Sequence, residues 1–309
     1  MAEVATRKSF GQALLELGGE DESIVVLDAD LAKSTMSKMF GDAYPERFFE
    51  MGIQEANMIG AGSGLALAGK KPFICSFACF VTGRYDTIRI SVAYAEAPVR
   101  IVGTHAGIGI GEDGNSQMGL EDIGLMRGLP NMHVFQPADD IETKAVVRWM
   151  AENDVPSYIR LTRQNVPDVN PSDYTFAFGK AVELVSGNDV TIMASGGTVG
   201  HAVAAAGLLK KDGIDAGVVN IHTIKPIDAE AVARYAKTTG HIVTVEDHNI
   251  IGGLGSAVSE VVAEAGTGRV TRHGLMDSFG ESGTTGDLYA KYRLDAPGIA
   301  AVVKEALQK

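Results

Sequence analysis

The chain has 309 residues with 45% hydrophobic and 21% charged side chains, ordinary for a globular protein and long enough for two domains. Its net charge of -12 argues against nucleic acid or an anionic membrane as the main partner, so any phosphate ligand must meet a local basic cluster. No apolar run approaches ~20 residues and the opening MAEVATRKSF has no hydrophobic signal core, which predicts a cytoplasmic protein that spans no membrane.

Residues 9–17 have helical apolar spacing, and IVVLDAD at 24–30 reads as a buried parallel strand ending in acids, where α/β ligand sites collect. Residues 47–51 read as a short strand; Gly52 frees the backbone to turn, and Glu55 opens a helix. Gly60, Ala61, Gly62, Ser63 and Gly64 carry almost no side chain. Glycine costs roughly 1 kcal/mol against alanine in a helix interior, so the run predicts close approach by another backbone, subunit or cofactor. A strand at 72–77, a helix at 85–94, a strand at 99–104 and a polar glycine loop at 105–117 follow. A helix at 121–127, a strand at 133–137, a helix capped by Asp139 and the strand SYIRLT complete the first unit.

Between Arg163 and Lys180 two prolines and absent periodicity mark a boundary, giving domains at 1–165 and 180–309 with a linker at 166–179. Strands at 189–195, 216–224, 241–247 and 269–275 alternate there with helices from Val199, Asp228, Gly252 and Pro297. The expected fold class is α/β: a doubly wound parallel sheet followed by a smaller α/β domain.

Few motifs speak alone. Most acids in a first helical turn are solvated, but Glu55 follows a strand and a glycine, opens a glycine-rich helix and precedes Phe77 and Phe80. A carboxyl group facing a flat hydrophobic slot suits an aminopyrimidine coenzyme. Gly109, Gly111 and Gly114 spell G-x-G-x-x-G, yet Glu112 and Asp113 would set two negative charges against a pyrophosphate, and the stretch reads as a flexible polar site wall. His105, Arg7, Arg127 and Arg163 are each ambiguous singly, although arginine is the natural phosphate clamp. Ser195 to Thr198 reads as a tight turn, Glu246 to His248 is weak evidence of catalysis, and Cys75 and Cys79 read as core thiols.

Together the segments MGIQEANMIGAG, SFACFVTGRYDTIR, THAGIGIGEDGNSQMGLED, RLTRQNVP, TIKPID and TVEDHNIIGGLGSAV resemble the carboxyl-terminal half of a transketolase, over nearly the whole chain. The resemblance implies a pyrimidine-binding domain followed by a transketolase C-terminal domain. It also implies thiamine diphosphate as cofactor. The family's G-D-G segment for diphosphate and metal is not found in this sequence. Mg2+ or Ca2+ is therefore expected to be held mainly by a separate amino-terminal subunit in an α2β2 assembly, with no metal site in this chain.

By position, Glu55 matches the glutamate that hydrogen-bonds the aminopyrimidine and favours its imino tautomer. Phe77 and Phe80 match the ring-stacking pair, and Asp30 an acid lining the cofactor channel. His105 and Gln117 match groups giving acid-base or hydrogen-bonding help. Asp113 matches a sugar-hydroxyl contact, and Arg7, Ser34 and Arg163 a phosphate grip, with His105 beside the substrate. Gln117 replaces the histidine of several members, and Gly83 a tyrosine of many. The implied activity is transfer of a two-carbon ketol unit from a ketose phosphate to an aldose phosphate. The rivals are a 2-oxoacid dehydrogenase β subunit, a deoxyxylulose-phosphate synthase-like enzyme and a non-catalytic partner-binding subunit.

Overall fold

The computed structural model describes residues 3–308. Alternation along the central strands decides its layering, because successive side chains leave a strand on opposite faces. Ile24, Val26, Phe73, Cys75 and Val102 join Phe10, Leu14, Val146 and Met150 in one apolar cluster, beneath helices Thr6–Glu20 and Asp140–Glu152. Val25, Leu27, Ile74 and Ile101 join Met58, Ile59 and Val92 in another, beneath helix Glu55–Leu67 and the π-helical turns Ile88–Tyr94. The first unit is thus doubly wound.

Its seven-stranded sheet runs Thr223–Lys225, His133–Phe135, Ser157–Arg160, Arg100–Thr104, Lys71–Phe77, Ile24–Asp28, Phe48–Glu50. All neighbours are parallel except the first pair. The second sheet has five strands in the order Arg269–Leu275, His241–Asn249, Val190–Ala194, Ala216–Asn220, Val182–Val185, the last antiparallel.

Two expectations change. The run at 216–224 is not one strand: it breaks at Ile221 and His222, and Thr223–Lys225 crosses to pair antiparallel with His133–Phe135 in the other sheet. A β-branched run is equally at home in either sheet, so its composition does not name its partner. The stretch at 105–117 is not a free polar loop, for His105 to Gly111 are buried. Ile108 and Ile110 sit in one apolar cluster with Leu275, Leu288 and Tyr289 of the second unit. Two isoleucines outweigh the surrounding glycines, because full burial of each contributes roughly 1.5–3 kcal/mol.

The units are joined by a buried charge network. Arg160, at the end of its strand, pairs through Nε with Asp122 at 2.9 Å and through Nη1 with Asp247 at 2.6 Å, all three essentially without exposure. Its Nη2 donates to the carbonyls of Gly119 and Asp247, and the Tyr158 hydroxyl donates to Asp122. The two carboxylates hold the guanidinium charged, outweighing burial and raising its pKa. Among the described residues no helix is long and apolar enough to cross a membrane.

Removing one member of such a network strands the others as buried, unpaired charges. Arg160→Leu is therefore expected to cost ~3–5 kcal/mol in denaturant unfolding, and a loss below about 1 kcal/mol would contradict this account of the junction.

Candidate active site

Parallel strands end on one edge of the sheet, where open α/β folds collect ligands. Here that edge carries Asp28 and Asp30, the turn into Glu55, Phe77 and Phe80, His105, and Arg163 just beyond Arg160.

Glu55 is the first residue of its helix and only 3% exposed, with Ser76 Oγ donating to its Oε1 at 3.3 Å. Within the small-residue run Gly62 explains itself: an added Cβ would stand 2.7 Å from Ile74. At Gly60 and Gly64 an added Cβ would meet nothing, and with Ala56 and Leu67 these residues form an exposed small or apolar face of the helix. Close packing there is not supplied by the described residues.

Three rings form a continuous stack. Phe77 lies 5.6 Å from Phe80 at 14° and 3.8 Å from the His105 ring at 25°. Phe77 is buried between them, so the half-buried Phe80 is the ring with more surface left to offer. Gly83 lies exposed just past the Ala78–Thr82 helix.

His105 has the left-handed φ of +58°, which costs a non-glycine residue roughly 1–3 kcal/mol and marks sites where neighbours over-determine the backbone. Arg7 Nη1 lies 3.3 Å from its Nε2 and Thr104 Oγ1 2.9 Å from its Nδ1. An arginine can only donate, so Nε2 accepts and the ring proton sits on Nδ1, donating to Thr104, whose hydroxyl donates in turn to the Ser76 carbonyl. Burial, with Arg7 and Arg163 nearby, pushes the histidine pKa down to about 3. At neutral pH it is an uncharged hydrogen-bond acceptor.

Arg7 Nη1 donates to the Ser34 carbonyl at 2.6 Å, and burial together with Arg163 lowers its pKa. Arg163 Nη1 donates to the Ile110 carbonyl at 2.9 Å and faces Glu112 at 3.6 Å. Arg7, Ser34, His105 and Arg163 are thus gathered in one basic corner. Asp113 lies exposed and Gln117 half-buried on the short turns Ile108–Asp113 and Asn115–Gln117. Asp30 is exposed at φ +63°, its backbone N–H donating to Glu50 Oε1 at 2.6 Å. A cleft of about 570 Å³ opens beside it, lined among others by Lys33, Ser34, Lys38 and Glu50.

The remaining sequence candidates have structural partners. Arg127 bonds the Gly252 carbonyl and Glu260. Glu246 accepts the Leu254 and Gly255 amides that begin a helix, Asp247 pairs with Arg160, and His248 is buried. The Ser195 hydroxyl donates to Gln136, and Thr198 to backbone carbonyls. Cys75 is buried and Cys79 half-buried, both as free thiols.

Sequence reasoning passed over Asp28. It is fully buried and accepts from the Leu31 amide at 2.7 Å, the Thr35 hydroxyl at 2.7 Å and the Ser37 hydroxyl at 2.8 Å. These bonds fold residues 28–37 into the turn that presents the Ser34 carbonyl to Arg7. The available signal was two hydroxyl residues two apart, shortly after a strand-ending acid.

The description "Transketolase, pyrimidine binding domain" matches residues 2–169, and "Transketolase, C-terminal domain" residues 179–299. A protein of Methanocaldococcus jannaschii with the provisional name transketolase C-terminal section is 47% identical over 307 residues, covering 98% of this chain and 96% of its own. A 6-deoxy-6-sulfo-D-fructose transketolase subunit of Clostridium sp. (strain MSTE9) is 41% identical over 304 residues, covering 98% of this chain and 94% of its own. A solved split gene transketolase, an inactive β4 tetramer, superposes with a TM-score of 0.92 at 47% identity, covering 99% of both chains.

Burial raises the Asp28 pKa from 3.8 to about 6, against the opposing pull of its three donors. The folded state therefore holds this proton more tightly than the unfolded chain. The group's contribution to stability is whole below the unfolded pKa and is lost as pH climbs through 6, roughly 3 kcal/mol in full. Unfolding free energies should show the wild type losing most of that relative to Asp28→Asn between about pH 4 and about pH 7. A difference between the two proteins that does not change with pH would contradict the assignment.

Proposed function

The chain belongs to the transketolase family of transferases, and on that premise we propose that it is one subunit of a split enzyme that moves a two-carbon ketol unit from a ketose phosphate to an aldose phosphate. In this reading residues 1–165 carry the coenzyme-ring and substrate contacts, and an amino-terminal transketolase subunit carries the diphosphate site and its Mg2+ or Ca2+. The observation that carries the proposal is Glu55: a carboxyl group with 3% exposure and the Ser76 hydroxyl as its hydrogen-bond partner, at the head of a helix with one face uncovered.

The family implies thiamine diphosphate, and the residues present suit its ring half. A buried carboxyl with spare acceptor capacity would hydrogen-bond N1' of an aminopyrimidine, and Phe80 would lie against the ring, a contact worth ~0.5–1.5 kcal/mol beyond area burial. Among the described residues no group of three or more His, Cys, Asp or Glu is placed to hold a metal; in this reading the partner subunit carries it. When bound, the coenzyme supplies the nucleophilic carbon and the electron sink for C–C cleavage.

This chain's part is to position, neutralise and exclude water. Glu55 would hydrogen-bond the aminopyrimidine through its buried carboxyl group and exchange a proton with the ring there. Arg7 and Arg163, left partly free by their backbone contacts, present cationic N–H groups to a substrate anion, with the Ser34 turn beside them. The neutral His105 offers Nε2 as an acceptor to a sugar hydroxyl once Arg7 turns to the ligand. In this reading Asp113 and Gln117, further along the same loop, would contact sugar hydroxyls, and Asp30 would line the channel mouth. The corner would accept a sulfonate as readily as a phosphate, which fits a relative named for a sulfosugar.

The test is reconstitution of this chain with an amino-terminal transketolase subunit, thiamine diphosphate and Mg2+, assayed with ketose phosphates, a sulfosugar and pyruvate. Ketol transfer is expected with a sugar donor, and turnover of pyruvate alone would replace this reading with a 2-oxoacid enzyme. Glu55→Ala should lower kcat by roughly 10²–10⁴ while assembly with the partner persists. Near-wild-type turnover would remove Glu55 from its role.

A further inference from the structure

We propose that the second unit positions the substrate loop, through a clamp formed by residues 280–285 against residues 107–115. The proposal deepens the sugar-phosphate reading of the site and rests on it, because that loop carries Asp113 and leads from His105 to Gln117.

The clamp accounts for the G-x-G-x-x-G letters that fit no dinucleotide site. A Cβ on Gly107 would stand 2.0 Å from Asp247 Oδ2, where φ is also +76°. One on Gly111 would stand 3.3 Å from the Gly283 carbonyl, and one on Gly114 2.4 Å from the Ser282 hydroxyl. Gly109 lies against Gln164, whose Nε2 donates to the Tyr289 hydroxyl at 3.0 Å; that hydroxyl in turn donates to Asp247 at 3.2 Å. The glycines leave room for Asp247, Gln164, Gly283 and Ser282 where a Cβ would stand, a use quite different from cradling a phosphate.

Two directed hydrogen bonds fix the register of the contact. Thr285 Oγ1 donates to the Gly109 carbonyl at 3.1 Å, and the Gly280 amide donates to Asn115 Oδ1 at 2.8 Å. Between them Ile108 and Ile110 plug the apolar cluster that holds Leu288 and Tyr289. The Ile110 carbonyl is the group that receives Arg163, so the seating of this loop also sets where the arginine rests. Asp247, under Gly107, is itself held by Arg160. Thr285 and Asn115 are therefore positioning residues: neither needs to touch substrate, and both hold the loop that does.

The experiment uses Thr285→Val with Asn115→Ala, and Thr285→Ser as the conservative control. Amide hydrogen exchange of residues 107–117 is read on the full chain alone, and KM and kcat for a ketose phosphate on the reconstituted complex. The double variant is expected to exchange these amides roughly thirtyfold faster, as loss of two neutral hydrogen bonds worth ~1 kcal/mol each implies. KM should rise with kcat within about twofold, and Thr285→Ser should behave as wild type. Unchanged exchange overturns the clamp whatever the substrate is, and faster exchange with an unchanged KM overturns its positioning role. Faster exchange in a complex that turns over no sugar phosphate leaves the clamp standing and sinks the functional reading instead.

Discussion

Arg160 is buried with two carboxylates, one from each half of the chain, and the other contacts between the halves are arranged around that triad. A guanidinium out of water is tolerable only when its donors are met, and here Nε, Nη1 and Nη2 each find an oxygen of Asp122, Asp247 or Gly119. Meeting them brings the His241–Asn249 strand of the second sheet to the carboxyl edge of the first. The Thr223–Lys225 strand then reaches across to the first sheet, and Ile108 and Ile110 can be buried from the opposite side. Geometry of this kind contributes modestly to net stability but strongly to register, because few other arrangements satisfy three buried charges at once.

The active edge stands on that junction. His105 keeps an unfavourable backbone conformation because Thr104, Arg7 and Phe77 hold its ring from three directions. Asp28 does similar work on the other flank, where three donors converge on one carboxylate and shape the turn beside Arg7. Glu55 differs from both. It is buried without a matching set of donors, and the helix behind it exposes Gly60 and Gly64, where a close neighbour would fit. A buried acid with acceptor capacity to spare, beside an uncovered helix face, is what one wall of a shared site should look like.

Much of this was legible in the residues. The run at 24–30 reads as a buried parallel strand because both of its faces are apolar, and Gly52 before Glu55 marks the turn into a helix through backbone freedom alone. Local pattern failed wherever the deciding partner lay far away in sequence. Near Asp28 only Thr35 and Ser37 hint that it, and not Asp30, is the buried acid; their hydroxyls folding back on it decide that. The loop at 105–117 looked polar because four of its residues are glycine, yet those glycines mark close packing against Gln164, Asp247 and a surface about 170 residues further on. The 216–224 run had the composition of a single strand, and only the sheet order shows that its end belongs to the other unit.

The central claim is that this polypeptide holds the ring half of a coenzyme site and needs another chain for the charged half. Equilibrium binding of thiamine diphosphate in the presence of Mg2+, measured by titration calorimetry on this chain alone and on its mixture with an amino-terminal transketolase subunit, tests it most directly. The account predicts no saturable binding by the chain alone and stoichiometric binding by the mixture; tight one-to-one binding by the isolated chain would contradict it.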